Sequence, residues 1–224
     1  MSANPVQEER GSFRRSLQRI AGSAVALGAA ALKWAFVFGK FFAFFVSFAL
    51  YSALFHSWKF GLGLVLLILV HEMGHFLEAK RQGLSVTLPM FVPFFGAYVK
   101  IRHANLPPWN NALVSLAGPF VGSIGAAVCW AASPYGDTQL LLGLANIGFL
   151  LNAVNLLPIG FLDGGQTARA ISQERHGWIR HENGVPVEAV APDAGRAMKI
   201  VVIYVLLAAA IIVAMIATKP NGAL

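Results

Sequence analysis

Charge is scarce in this chain. Only 12% of its 224 residues are charged, while 57% are hydrophobic. A soluble domain is nearer one quarter charged, so the composition excludes an ordinary water-soluble domain and points to one compact, helical, integral membrane unit. Cysteine is almost absent as well. Cys129 is the single one, which rules out an intramolecular disulfide, and in its apolar run it reads as a small packing group. There is no internal repeat and no sign of an appended PDZ-like or nucleotide-sensing domain. A cleaved secretory leader is not expected either. Residues 1–20 are polar and basic, but the apolar material after them runs on past Leu50 instead of ending at a small-residue cleavage site, so this is read as a retained anchor. The net charge of +7 does not argue for nucleic acid, because the basic residues sit in short segments beside apolar spans, as membrane orientation requires.

What is present is a series of apolar runs. At about 20 residues per crossing, the first is expected at residues 34–54, with 21–32 a tilted or surface extension; two tight crossings are the alternative. The second covers residues 60–80 and stops at Lys80-Arg81-Gln82-Gly83, where cations and a glycine suit a helix C-terminus. Residues 84–105 mix β-branched and aromatic residues with Pro89, Pro93 and Gly96, and read as a hairpin dipping into the membrane. The third span is placed at 111–132, rich in small residues that permit close helix approach in lipid. The fourth starts near Gln139 and ends in a break around Pro158 and Gly160. Residues 164–197 read as a polar connector, and the last span as 198–217. Trp34, Trp58 and Trp109 lie near span ends and suit an interfacial belt.

Inside the second run stands His71-Glu72-Met73-Gly74-His75. An uncompensated charge at such depth costs roughly 2–3 kcal/mol or more, so ionisable groups there are rare and usually functional. The pattern H-E-x-x-H on a helix is a metal-hydrolase signature. At ~100° per residue the two histidines fall about 40° apart, one turn apart on one face, so both imidazoles can hold one ion. Glu72 lies beside that face, where it can accept a proton from water. A hydrolytic zinc takes three protein ligands and one water, so a third ligand is needed. Glu78 is one candidate, but it lies about 10 Å along the axis from His71 and borders Lys80 and Arg81, which favours an ion pair. Asp163 is the better one: the broken helix before it can turn its carboxylate towards a neighbour. Asp137, the rival acid, sits in a turn on the opposite side. Asn146 and Asn152 are read as interhelical hydrogen-bonding groups, and His56, His103, His176 and His181 as solvent-facing.

Taken together, His71-Glu72-Met73-Gly74-His75 and Asn155-Leu156-Leu157-Pro158 through Leu162-Asp163-Gly164-Gly165 resemble the site-2 protease family of intramembrane zinc metalloproteases. The resemblance covers roughly residues 60–170, and Ala117-Gly118-Pro119 fits it too. It implies a three-helix catalytic core, one zinc ion held by His71, His75 and Asp163, Glu72 as general base and proton shuttle, and Asn155 as a residue that orients substrate or stabilises the oxyanion. The family's second proline position is Gly160 here. The segment from Pro89 to Ile101 looks like the family's membrane-embedded hairpin, whose physical use would be strand addition to an unwound substrate.

The expected fold is therefore an all-α polytopic membrane protein of about five transmembrane helices, with a three-helix core and a membrane-associated β-hairpin segment. Its expected parts are residues 1–59 (basic segment and first span), 60–170 (catalytic core) and 171–224 (connector and last span). Counting positive charges puts the N-terminus, the hairpin and the connector in the cytosol, most simply across a bacterial-type inner membrane. His71, His75 and Asp163 then share the cytosolic half of the bilayer. The expected partners are the lipid bilayer, a transmembrane protein substrate, and a regulatory membrane partner or a second copy. The competing reading is a non-catalytic zinc transporter or sensor.

Overall fold

Ser57 starts the first long helix: its hydroxyl accepts from the Phe60 amide at 3.3 Å, the usual use of an N-cap serine. The helix, α2 (Trp58–Arg81), ends where Gly83 takes φ +76° and the Leu84 amide turns back to the Ala79 carbonyl at 3.0 Å. Gly83 thus terminates it as its left-handed conformation predicts. Before it runs α1 (Ala43–Leu54). After it come the strands β1 (Met90–Val92) and β2 (Gly96–Tyr98), then α3 (Pro108–Ala132), α4 (Thr138–Asn155), α5 (Asp163–His176), β3 (Trp178–Glu182), β4 (Val185–Val190) and α6 (Ala194–Ala217). The computed structural model describes residues 43–92, 96–99, 106–182 and 185–218. From Phe44 on, every element named here belongs to one compact unit, residues 44–224.

The result is an α-rich membrane protein with two small hairpins. Among the described residues, four stretches are long and apolar enough to cross a membrane: Trp58–Arg81, Pro108–Tyr135, Thr138–Asn155 and Ala194–Ala217. The expected first span at 34–54 begins outside the described residues, and its visible part, α1, is shorter than a crossing. The strands Met90–Val92 and Gly96–Tyr98 do pair antiparallel, with Met90 opposite Tyr98 and Val92 opposite Gly96.

The stretch 164–197 is more than a polar connector. It holds α5 and the β3–β4 hairpin, in which Trp178 pairs with Val190 and the register shifts between Arg180 and His181. A search for apolar runs passes over α5 because it buries small and polar residues: Gly164, Gly165, Thr167, Ala170 and Glu174. The boundary drawn at residues 170 and 171 falls inside it.

Three apolar clusters join the helices. Leu116, Ala126, Ala145, Phe149, Leu156 and Ile211 pack α3, α4 and α6 together. Leu64, Leu67 and Leu144 join α2 to α4, and Ala112, Ala170 and Ile200 join α3, α5 and α6. Cys129 packs against the first two clusters, as expected. Polar groups tie the same helices, since Asn146 donates to the Met215 carbonyl at 2.9 Å and Tyr204 donates to the Leu156 carbonyl. Buried Glu174 accepts from the Trp109 amide at 3.0 Å. It supplies from α5 the cap that Pro107 cannot give the start of α3.

Candidate metal centre

The H-E-x-x-H pattern lies on α2 three turns before its C-terminal end, and His71 and Glu72 are both buried. The chain reaches the same place again after α4. Asn155 is the last residue of α4, the backbone turns through Pro158 and Gly160, and Asp163 is the first residue of α5. Gly160 adopts φ +26°. A side chain on Gly164 would run into the Leu156 carbonyl, and one on Gly165 into the Ile159 carbonyl. The Gly-Gly pair after the aspartate is therefore what lets α5 start hard against the turn and aim Asp163 back at α2.

His71, His75 and Asp163 do come together. His71 Nε2 lies 3.2 Å from Asp163 Oδ2, His75 Nε2 lies 3.4 Å from Asp163 Oδ1, and the two Nε2 atoms are 3.2 Å apart. The other ring nitrogens are engaged. His71 Nδ1 donates to Asn152 Oδ1 at 2.7 Å, and the orientation of that amide is set because Asn152 Nδ2 donates to the Gly148 carbonyl at 2.9 Å. His75 Nδ1 donates to the Val114 carbonyl at 2.8 Å. A neutral imidazole with its proton on Nδ1 presents a lone pair at Nε2. Two such lone pairs and a carboxylate therefore converge with no proton between them. A cation resolves that conflict, and the donor set of two imidazoles and one carboxylate suits zinc. The spacing fits as well, since a tetrahedron with ~2.0 Å bonds has edges of about 3.3 Å. These three residues form a group able to hold one metal ion.

The helix α3 contributes no ligand but shapes the site. Val114, Gly118 and Gly122 stand one turn apart on one face. Val114 accepts from His75. A side chain on Gly118 would collide with the His75 ring, and one on Gly122 would lie 2.5 Å from Asn152 Oδ1. Gly74 meets Ala117 of α3 equally closely. The small residues expected merely to let helices approach in lipid also leave room for a ligand and its hydrogen-bond partner.

A cavity of about 1320 Å³ opens onto the group, lined by Glu72, Asn152, Asn155 and Asp163 among others. Val99, just after β2, lines the cavity together with Glu72. Asn155 lines the cavity and has no side-chain hydrogen bond among the described residues. Glu78 is elsewhere and occupied: it pairs with Arg81 at 2.7 Å and accepts from Gln82 at 2.8 Å. It is the ion pair that its position beside the cations suggested, not a ligand.

Asn152, expected mainly as an interhelical group, does bridge α4 to α2, and the group it meets there is His71. No sequence signal marks it as the partner of His71. His181 was read as solvent-facing, yet it lines the cavity. His56 and His176 are exposed, and His103 lies outside the described residues.

This chain is similar to peptidase family M50, whose model matches residues 59–137. That is the family level at which the site-2 protease resemblance stands. The M50 match contains His71, Glu72 and His75, whereas Asn155 and Asp163 lie beyond it. A zinc metalloprotease of Methanocaldococcus jannaschii is 24% identical over 141 residues, covering 61% of this chain and 39% of that protein. A protein of Mycobacterium tuberculosis named as a zinc metalloprotease, Rip3, is 28% identical over 158 residues, covering 65% of this chain and 39% of its own length. One from Synechocystis, also named as a zinc metalloprotease, is 32% identical over 126 residues, covering 51% of this chain and 32% of its own length. The chain thus spans about two fifths or less of the length of these relatives.

Proposed function

We propose that the chain is an intramembrane zinc metalloprotease that hydrolyses peptide bonds within or near transmembrane segments of other membrane proteins. The observation that carries this is the convergence of His71 Nε2, His75 Nε2 and Asp163 on one point, beside the buried Glu72, within a bundle of membrane-length helices. The M50 match supports it. In this reading His71, His75 and Asp163 hold one zinc ion, and residues 60–170 are the catalytic core within a five-span chain. Zinc lowers the pKa of water to about 7 and polarises a carbonyl.

The chain's own residues do the rest. Glu72 takes the proton from the attacking water and returns it to the leaving amine, a role that general acid–base groups fill with about 10²–10⁴-fold effect. Asn152 and Val114 hold the two imidazoles with Nε2 facing inward. Asn155, a free amide at the cavity wall, donates to the oxygen that becomes negative as the carbonyl is attacked. The β1–β2 hairpin offers an edge to substrate that has left its helix, because unwound backbone in lipid must find hydrogen bonds. Basic segments in the sequence support a cytosolic N-terminus, with the site opening toward the cytosolic side of a bacterial inner membrane.

The test uses the full chain in liposomes with a transmembrane substrate. Glu72→Gln is expected to keep one zinc per chain while losing at least about 10²-fold in cleavage rate. Substantial cleavage by that variant would exclude Glu72 as the base. Asp163→Ala is expected to lose both zinc and activity, and unchanged zinc after dialysis would remove Asp163 from the ligand set. Stoichiometric zinc with no hydrolysis of any membrane substrate would favour a transporter or sensor.

A further inference from the structure

We propose that Arg169 selects substrates carrying an acidic side chain within a few residues of the scissile bond, on the side of the bond that faces α5 and the β3–β4 hairpin. This deepens the protease reading and rests on it. The cavity does not end at the metal centre. It continues along α5, lined by Gln166, Arg169 and Gln173, with Trp178 and His181 of β3 also in its wall. Positions 166, 169 and 173 lie on one helix face, so a polar wall leads away from Asp163. A fully apolar substrate segment gains nothing from that wall, whereas the polar residues flanking a membrane span do.

Arg169 is the distinctive group on it. Arg81, Arg180 and Arg196 face carboxylates at 2.7, 3.2 and 3.3 Å. Among the described residues Arg169 faces none, and its Nη2 donates to the Gly160 carbonyl at 2.8 Å. A guanidinium has five N–H donors, so one bond to the turn leaves others for a second acceptor. A carboxylate is the acceptor that matches it in charge and, through paired N–H donors, in shape. Beyond the metal centre, no acidic side chain lines the cavity among the described residues to compete for it. The distance follows from chain geometry. The guanidinium is drawn back to the Gly160 carbonyl, at the turn three residues before Asp163, so the acid it meets lies within a few residues of the scissile bond at ~3.3 Å per extended residue.

The experiment takes one transmembrane substrate carrying Asp, Asn or Lys at the positions two to four residues from the cut, on the polar side. Cleavage is measured with the zinc-loaded full chain in liposomes, and binding of the same three substrates is measured with the Glu72→Gln chain. Wild type is expected to prefer Asp over Lys by about tenfold, as a charged hydrogen bond at a solvent-reached position suggests. Arg169→Gln should level the preference and Arg169→Glu should reverse it. Equal use of the three substrates by wild type, or a preference that survives Arg169→Glu, would overturn the proposal. So would a loss of all three substrates alike in Arg169→Gln and Arg169→Lys, since that marks Arg169 as a prop for the turn at residues 156–162. The binding arm separates the two ideas: a charge preference in binding without cleavage by wild type would sink the protease reading and leave the Arg169 contact standing.

Discussion

An imidazole can ligate through either ring nitrogen, and the hydrogen bond made by the other nitrogen decides which. In this chain the decision falls to Asn152 for His71 and to the Val114 carbonyl for His75. The carbonyl cannot be mutated away, but the asparagine can. Removing such a partner costs about 10–100-fold in metal affinity in comparable sites. Asn152→Ala is therefore expected to weaken zinc binding by that factor, read by competition with a chromophoric chelator, and to regain activity when zinc is added in excess. Unchanged affinity would mean that the His71 ring is oriented by other contacts. The histidine pair and Asp163 were legible because their positions alone carry the chemistry: i and i+4 on one helix, and a carboxylate after a proline-glycine break. Asn152 was not. The helix α4 carries asparagines at 146, 152 and 155, and which one meets His71 depends on the rotation of α4 against α2, which packing sets.

At the scale of elements, α3 is the part whose role exceeds its sequence signal. It supplies no ligand, yet its 118 and 122 positions must be bare for His75 and Asn152 to stand where they do. Gly118→Ala places a methyl group in the His75 ring. Overpacking of this kind costs about 1–3 kcal/mol, and here the ring is the part able to move. The variant is expected to fold, with unchanged helical circular dichroism, but to retain zinc poorly on dialysis. Full zinc retention would show that α2 and α3 can separate enough to accept the methyl. The same logic explains why α5 was missed as an element. It is polar outside and packs through glycine, threonine and alanine, so no apolar run announces it. The turn before it is legible from Pro158 and the glycines, whereas its tie to α6, through the Leu156 carbonyl that accepts from Tyr204, is not.

For the whole molecule, the proposed metal centre joins distant parts of the chain: α2 would supply two donors and the start of α5 the third, some ninety residues later. A ligand that binds only the folded state stabilises it by mass action, about 2.7 kcal/mol at a hundredfold excess over its Kd. Chelation is accordingly expected to lower the thermal midpoint of the full chain in detergent by roughly 5–10 °C, and re-addition of zinc to restore it. Asp163→Ala should show no such shift. A midpoint indifferent to chelator in the unmodified chain would mean that the three donors are held together by the bundle alone.

Composition and spacing by themselves determined the membrane class, the second, third and last spans, the 90–98 hairpin and the three groups that converge, because hydropathy, helical periodicity and ligand chemistry are local properties of the chain. The tertiary structure alone decided that α5 and a second hairpin occupy the supposed connector, that Asn152 rather than its neighbours bonds to His71, and that Arg169 lines the cavity without an acidic partner among the described residues. Each of those depends on how one helix is rotated and seated against another, and that is fixed by contacts between residues far apart in the chain.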